Sequence, residues 1–152
     1  MCRHLAYLGA PATLRSVLMD PPYGLYRQAW APRWQRHGTV NADGFGAGWY
    51  APGDPEPARY RRAGPIWADE SFADLARVTR SGAILAAVRD ATPGSAPGAA
   101  AAAPFAWGRW LFSHNGRIDG YPEAAAGSAS RSRRITLKRS GARRRLSTAS
   151  RI

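Results

Sequence analysis

Cysteine is almost absent from this chain: Cys2 is the only one in 152 residues. A single thiol excludes an intramolecular disulfide and any zinc cage built from cysteines. Long apolar runs are missing too. No stretch approaches the ~18 consecutive apolar residues of a membrane span, and no basic start leads into the roughly 7–15-residue apolar segment of a secretory signal. These absences predict a cytoplasmic protein with no membrane partner. Acidic residues are scarce, ten against 22 Lys and Arg, for a formal net charge of +12.

The charge is unevenly placed. Nine of the basic residues lie between Arg131 and Arg151, with no Asp or Glu among them; the other thirteen face all ten acids, so residues 1–130 carry only +3. Ile135, Leu137 and Leu146 are almost the only large apolar residues of the final stretch. Such a segment buries too little surface to offset the entropy of ordering it, so residues 127–152 are expected to form a disordered basic tail. The rest is different. With 45% hydrophobic residues overall, six Trp, six Tyr and four Phe, residues 1–126 are expected to form one folded domain, and the length leaves no room for a second.

Along the domain, residues 2–8 read as a strand ended by Gly9 and Pro11. Thr13–Met19 carries Leu14, Val17 and Leu18 at helical spacing. From Asp20 to Gly38 the chain is rich in Pro, Tyr and Trp without a period, which predicts a long loop packed by aromatic rings. Asn41–Tyr50 reads as a glycine-punctuated strand, and Pro52-Gly53-Asp54 turns it into a second strand near Arg59–Arg62. Asp69 or Ser71 can cap a helix whose Phe72, Leu75, Ala76 and Thr79 share a face. Ala83–Val88 has the small apolar character of a buried strand. An Ala/Pro/Gly-rich surface loop to Pro104 follows, then a strand from Trp107 to Ser113 closed by His114-Asn115-Gly116. No internal repeat is present, and the pattern is mixed antiparallel α+β.

A few residues could carry chemistry. Removal of Met1 would expose Cys2 with its own α-amine. That amine titrates near ~7.7–8.0 against ~8.5 for the thiol, so it can accept the thiol proton near neutral pH. Cys2 could equally be just the first residue of a buried strand. Arg89, at the end of an apolar strand, could hold a carboxylate bidentately, or pair with Asp90 or Asp119, or face solvent. Asn115-Gly116 suits a hairpin turn, yet an Asn amide beside the N–H of a glycine is also a pair of donors for a developing oxyanion. His114 can orient a neighbour or pack as an ordinary histidine. Gly44, Gly46 and Gly48 resemble a phosphate-binding loop only superficially, because they lie within a strand.

Taken together, in order and spacing, Cys2, Arg89 followed by Thr92-Pro93-Gly94, and Asn115-Gly116 twenty-six residues later resemble the class II glutamine amidotransferases, which are N-terminal-nucleophile hydrolases. The finer resemblance is to the γ-glutamyl hercynylcysteine sulfoxide hydrolases of ergothioneine biosynthesis. It rests on four blocks: Met1 to Gly9, Asn41 to Tyr50, Val88 to Gly94, and Phe112 to Gly116. It covers residues 1 to about 124. The resemblance implies a four-layer αββα sandwich, of which this chain would hold the N-terminal part. It implies Cys2 as nucleophile with its amine as base, Asn115 and the Gly116 N–H as oxyanion donors, and Arg89 with the Thr92 region and His114 around the glutamyl group. The substrate would be a small γ-glutamyl amide, and no metal or organic cofactor is required.

Family members continue beyond the point where this text turns Arg/Ser-rich, and they carry a Ser-Asp motif whose Asp binds the substrate α-ammonium. After Gly116 the only acids here are Asp119 and Glu123. The expectation is a frame shift or an equivalent truncation, with marginal stability and weak γ-glutamyl binding. Two other readings stand beside the hydrolase. One is a glutaminase of the same fold feeding ammonia to a partner. The other is a basic protein binding nucleic acid through its tail, against which stand the lack of aromatics in the tail and of any specific nucleic-acid motif.

Overall fold

A computed structural model of the chain describes residues 2–35, 38–116 and 120. The expected tail at 127–152, the domain boundary at 126, and Asp119 and Glu123 lie outside the described residues. Among the described residues no helix is long and apolar enough to cross a membrane.

Among the described residues, six strands and three α-helices follow one another as β1 (Arg3–Thr13), α1 (Leu14–Leu18), α2 (Leu25–Trp30), β2 (Phe45–Trp49), β3 (Ala58–Arg62), α3 (Glu70–Val78), β4 (Arg80–Val88), β5 (Phe105–Trp107) and β6 (Trp110–Phe112). β1, β4, β2 and β3 form one antiparallel sheet in that spatial order, and β5 pairs with β6 in a second. The α+β antiparallel architecture is the one expected.

Alternation along the strands assigns the faces. Phe45 and Ala47 of β2 and Ile84, Ala86 and Val88 of β4 are buried with Leu14, Leu18, Leu25, Ala29, Phe72 and Ala76, so all three helices cover one face. Two hydrophobic residues four apart suffice to seat α2, Leu25 and Ala29. Phe45, Phe72 and Tyr60 form an aromatic triad with ring centroids 4.9, 5.4 and 6.0 Å apart. Asp69 caps α3 by accepting the Phe72 N–H at 3.0 Å, and its other oxygen accepts from Tyr60 Oη at 2.8 Å and Arg62 Nε at 3.2 Å. The cap thereby ties α3 to the edge strand β3.

The opposite face of the sheet meets the β5–β6 hairpin. A Cβ at Gly48 would lie 2.9 Å from both Leu111 Cδ1 and Pro104 Cγ, and one at Gly46 would strike the Ala103 carbonyl. The glycines of β2 are therefore the surface on which the second sheet packs, which gives three successive layers: helices, sheet, sheet.

Four local expectations are corrected. β1 does not stop at Gly9 and Pro11; its register shifts between Leu8 and Ala12, and Gly82 lies so close that a Cβ there would meet the Gly9 carbonyl at 2.7 Å. A bulge on a sheet-edge strand absorbs both residues, and a proline is tolerated where no ladder donor is needed. The segment from Asp20 to Gly38 is not all loop, because it contains α2. Trp107–Ser113 is not one strand but includes a tight hairpin, with Gly108 at φ 51°. Finally, the loop running to Pro104 leaves the surface at its end: Ala102 and Pro104 are buried against the glycine face of β2.

Candidate functional site

The register of β1 against β4 pairs Arg3 with Val88, so the start of the chain lies beside the Arg89–Asp90 segment. The Cys2 thiol donates to the Asp90 carbonyl at 3.7 Å. From the hairpin side, Asn115 Nδ2 donates to the Cys2 carbonyl at 3.3 Å. From the helix side, Arg3 Nη1 donates to the same carbonyl at 3.3 Å, while its Nη2 reaches the Trp34 carbonyl at 2.8 Å. Two segments far apart in sequence thus meet at Cys2, and a third is tied to it through Arg3. Gly116 adopts φ 147°, a conformation L side chains rarely take, and a side chain there would meet the His114 ring. Glycine is required there by the backbone.

Arg89 donates from Nη1 to the Asp43 carbonyl at 3.2 Å and from Nη2 to the Ala96 carbonyl at 3.0 Å. It spends these donors on backbone rather than on Asp90, the ion pair considered from sequence. A guanidinium has five N–H donors, so donors remain for a ligand. Thr92 is exposed and its carbonyl closes a turn with the Ser95 N–H at 2.9 Å; the structure does not bring it into contact with Cys2. His114 is likewise exposed, which overturns its reading as a packed histidine.

Two residues escaped the sequence reading. Asp43 accepts the Ala91 N–H on Oδ2 at 2.7 Å, and its own N–H donates to the Arg89 carbonyl at 2.9 Å. Together with Arg89 Nη1 on its carbonyl, Asp43 holds the turn after β4 from both sides. Its place before a positive-φ glycine, Gly44 at 137°, was a turn signal and nothing more. His4 Nδ1 shares a hydrogen bond with Ser113 Oγ, linking β1 to the segment that carries Asn115. Partial burial lowers the His4 pKa below 6.5, and the neighbouring His114 lowers it further. Deeper still, Asn41 is fully buried, its amide donating to the Gln28 carbonyl and Gln35 Oε1, while Gln35 Nε2 donates to Asp90 Oδ2 at 3.3 Å. Among the described residues no cluster of His, Cys, Asp and Glu is arranged to hold a metal.

A thiol with an amide donor beside it suits acyl transfer through a covalent intermediate. Known proteins with related sequences point the same way. The chain is 51% identical over 121 residues to the γ-glutamyl-hercynylcysteine sulfoxide hydrolase of Mycolicibacterium smegmatis and 49% identical over 119 residues to that of Mycobacterium tuberculosis, in each case across 78% of this chain. It spans about half the length of these curated relatives, 52% and 50% respectively. A Saccharomyces cerevisiae protein named "Probable glutamine amidotransferase DUG3" is 31% identical over 129 residues, 80% of this chain and 36% of its own. A solved structure of a glutamine aminotransferase class-II domain protein from Silicibacter pomeroyi matches with a TM-score of 0.52 and 29% identity, covering 85% of this chain and 42% of that one. No family model matches.

Proposed function

We infer that this chain, a member of the class II glutamine amidotransferase family, carries the nucleophile-bearing part of a γ-glutamyl amide hydrolase that acts in the cytoplasm on γ-glutamyl hercynylcysteine sulfoxide. The observation that supports this most is the contact of Asn115 with Cys2 across 113 residues, because it joins the two blocks whose pairing the reaction needs.

The chemistry runs as follows. With Met1 removed, the Cys2 α-amine takes the thiol proton, and the thiolate attacks the γ-carbonyl of the glutamyl group. Asn115 Nδ2 and the Gly116 N–H donate to the tetrahedral oxyanion. The C–N bond breaks, the departing amine receives the proton held on the α-amine, and a glutamyl thioester remains on Cys2. Water, deprotonated by the same amine, then cleaves the thioester to free glutamate and the thiol. Arg89, held by Asp43, offers its remaining donors to the α-carboxylate of the glutamyl group.

The test is glutamate release from a γ-glutamyl amide by the purified chain, with Cys2→Ala as control and intact mass to establish the loss of Met1. Release by the native chain and none by an equally folded Cys2→Ala variant is the expected result; equal release by both sinks the assignment.

A further inference from the structure

We propose that Gln35 is a positioning residue for the nucleophile: its amide ties the Asp90 side chain to a buried anchor at Asn41 and so holds the Asp90 carbonyl where it takes the Cys2 thiol. The proposal rests on the reading of Cys2 as nucleophile given above and adds what fixes the sulfur before substrate arrives.

The anchor begins at the end of α2. An intrahelical bond to the Gln28 carbonyl would need the N–H of residue 32, and Pro32 has none. Asn41 Nδ2 fills that place, donating to the Gln28 carbonyl at 2.9 Å, while the Asn41 backbone N–H donates to the Ala29 carbonyl at 2.6 Å. The same amide nitrogen donates to Gln35 Oε1 at 3.1 Å. Asn41 is fully buried and its Oδ1 has no partner among the described residues, so the position carries a desolvation cost that an apolar residue would avoid. What the amide contributes is its two donors. A backbone carbonyl only accepts, which fixes Nδ2 toward Gln28. Gln35 must then turn Oε1 to Asn41, and its Nε2 is left for Asp90 Oδ2, which it reaches at 3.3 Å. Gly38, at φ 74°, closes over this bond: a Cβ there would lie 2.8 Å from Asp90 Oδ2 and 3.1 Å from Gln35 Nε2.

The far end of the relay is one peptide unit. The Asp90 carbonyl accepts the Cys2 thiol at 3.7 Å, and the N–H of the same unit, that of Ala91, donates to Asp43 Oδ2 at 2.7 Å. A plane held by one such bond can pivot about it. Gln35, gripping the Asp90 side chain, is the second hold. Arg89 does not depend on it, because its own N–H donates to the Gly44 carbonyl at 2.8 Å and its carbonyl accepts the Asp43 N–H at 2.9 Å. Loss of the Gln35 hold therefore disturbs the sulfur and leaves Arg89 in place.

A reversal of the contact tests this. Gln35→Glu keeps an acceptor for Asn41 and sets a second carboxylate against Asp90. It should lower kcat for γ-glutamyl hydrolysis about three- to tenfold, the weight of one hydrogen bond, with KM unchanged, and should speed alkylation of Cys2 by iodoacetamide by a similar factor as the thiol leaves its acceptor. Adding Asp90→Asn turns the bond round, an asparagine amide donating to the introduced carboxylate, and should return kcat and the alkylation rate to near their native values. A merely structural role gives losses that follow the melting temperature and no recovery in the double variant, which lacks two native groups. That result, or native kcat and native alkylation in Gln35→Glu, overturns the proposal. If the native chain releases no glutamate, the hydrolase reading falls and the alkylation rates alone decide the hold of Gln35 on the thiol: faster in Gln35→Glu and restored in the double variant sustains it, and any other pattern overturns it.

Discussion

The side-chain amide of Asn115 rests on the carbonyl of Cys2 at 3.3 Å. The amide proposed above as an oxyanion donor is thus engaged by the backbone of the proposed nucleophile. A long, exposed hydrogen bond of this kind contributes little to folding, so the amide can exchange partners at small cost.

Asn115→Ala should therefore lower kcat for γ-glutamyl hydrolysis by about 10²–10³-fold, the usual effect of losing one oxyanion donor, with almost no change in melting temperature. Steady-state rates beside a thermal melt check both halves. A kcat within a factor of two of the native chain would remove Asn115 from the oxyanion role.

Asp43 offers a separable prediction. Its Oδ2 is the acceptor for the Ala91 N–H at 2.7 Å, and Asp43→Ala leaves that donor and the Arg89 turn unsupported. Urea unfolding should register a loss of about 1–3 kcal/mol, and KM for a γ-glutamyl substrate should rise more than kcat falls. An unchanged unfolding midpoint would show that the turn holds itself.

The glycines of β2 predict an order of damage. Gly46→Ala drives a Cβ into the Ala103 backbone carbonyl, whereas at Gly48 the nearest atoms include the end of the Leu111 side chain, which can rotate away. Overpacking costs of about 1–3 kcal/mol are typical, and Gly46→Ala should sit at the upper end with Gly48→Ala below it. Equal or reversed losses in chemical denaturation would contradict the close sheet-to-sheet approach at Gly46.

His4 carries a pH dependence with a definite sign. Its folded pKa lies below 6.5 through desolvation first and His114 second, so the unfolded chain binds a proton more readily than the folded one. Its contribution is complete above about pH 6.5 and is lost as the pH falls toward the folded value. The unfolding midpoint should drop between about pH 7 and pH 5, and His4→Gln should flatten that drop. An identical profile in the variant would place the titration elsewhere.

Much of this was legible beforehand where sequence chemistry is local. Asp69 before Phe72, Leu75 and Ala76 announces a capped amphipathic helix, and Pro52-Gly53-Asp54 announces the β2–β3 hairpin. Features that depend on partners were not. α2 has only six residues, too few to display a period, and the Pro-Pro and Gly before it read as loop. Gly9 and Pro11 end strands in general, but β1 carries them across a bulge because β4 supplies Gly82 opposite. Trp107 to Phe112 is apolar apart from Arg109, and Gly108-Arg109 is a poor turn signal beside Asn-Gly, so the hairpin was hidden. Of the candidate site, the blocks holding Cys2, Arg89 and Asn115 were visible as motifs, and their convergence needed the sheet. His114 and Thr92 are both exposed, a surface position that the motifs alone did not indicate.

The antiparallel pairing of Arg3 with Val88 also sets a clock. The neighbourhood of Cys2 cannot close until residues 88–90 have emerged and found β1, some 88 positions later in synthesis. At about 5–20 residues per second, the beginning of the chain stays open for roughly 4–18 s. That interval is when an aminopeptidase has unhindered access to Met1. For the nucleophile role proposed for Cys2, this order puts removal of Met1 before closure of the site, and a variant that docked β1 early would be expected to retain its methionine.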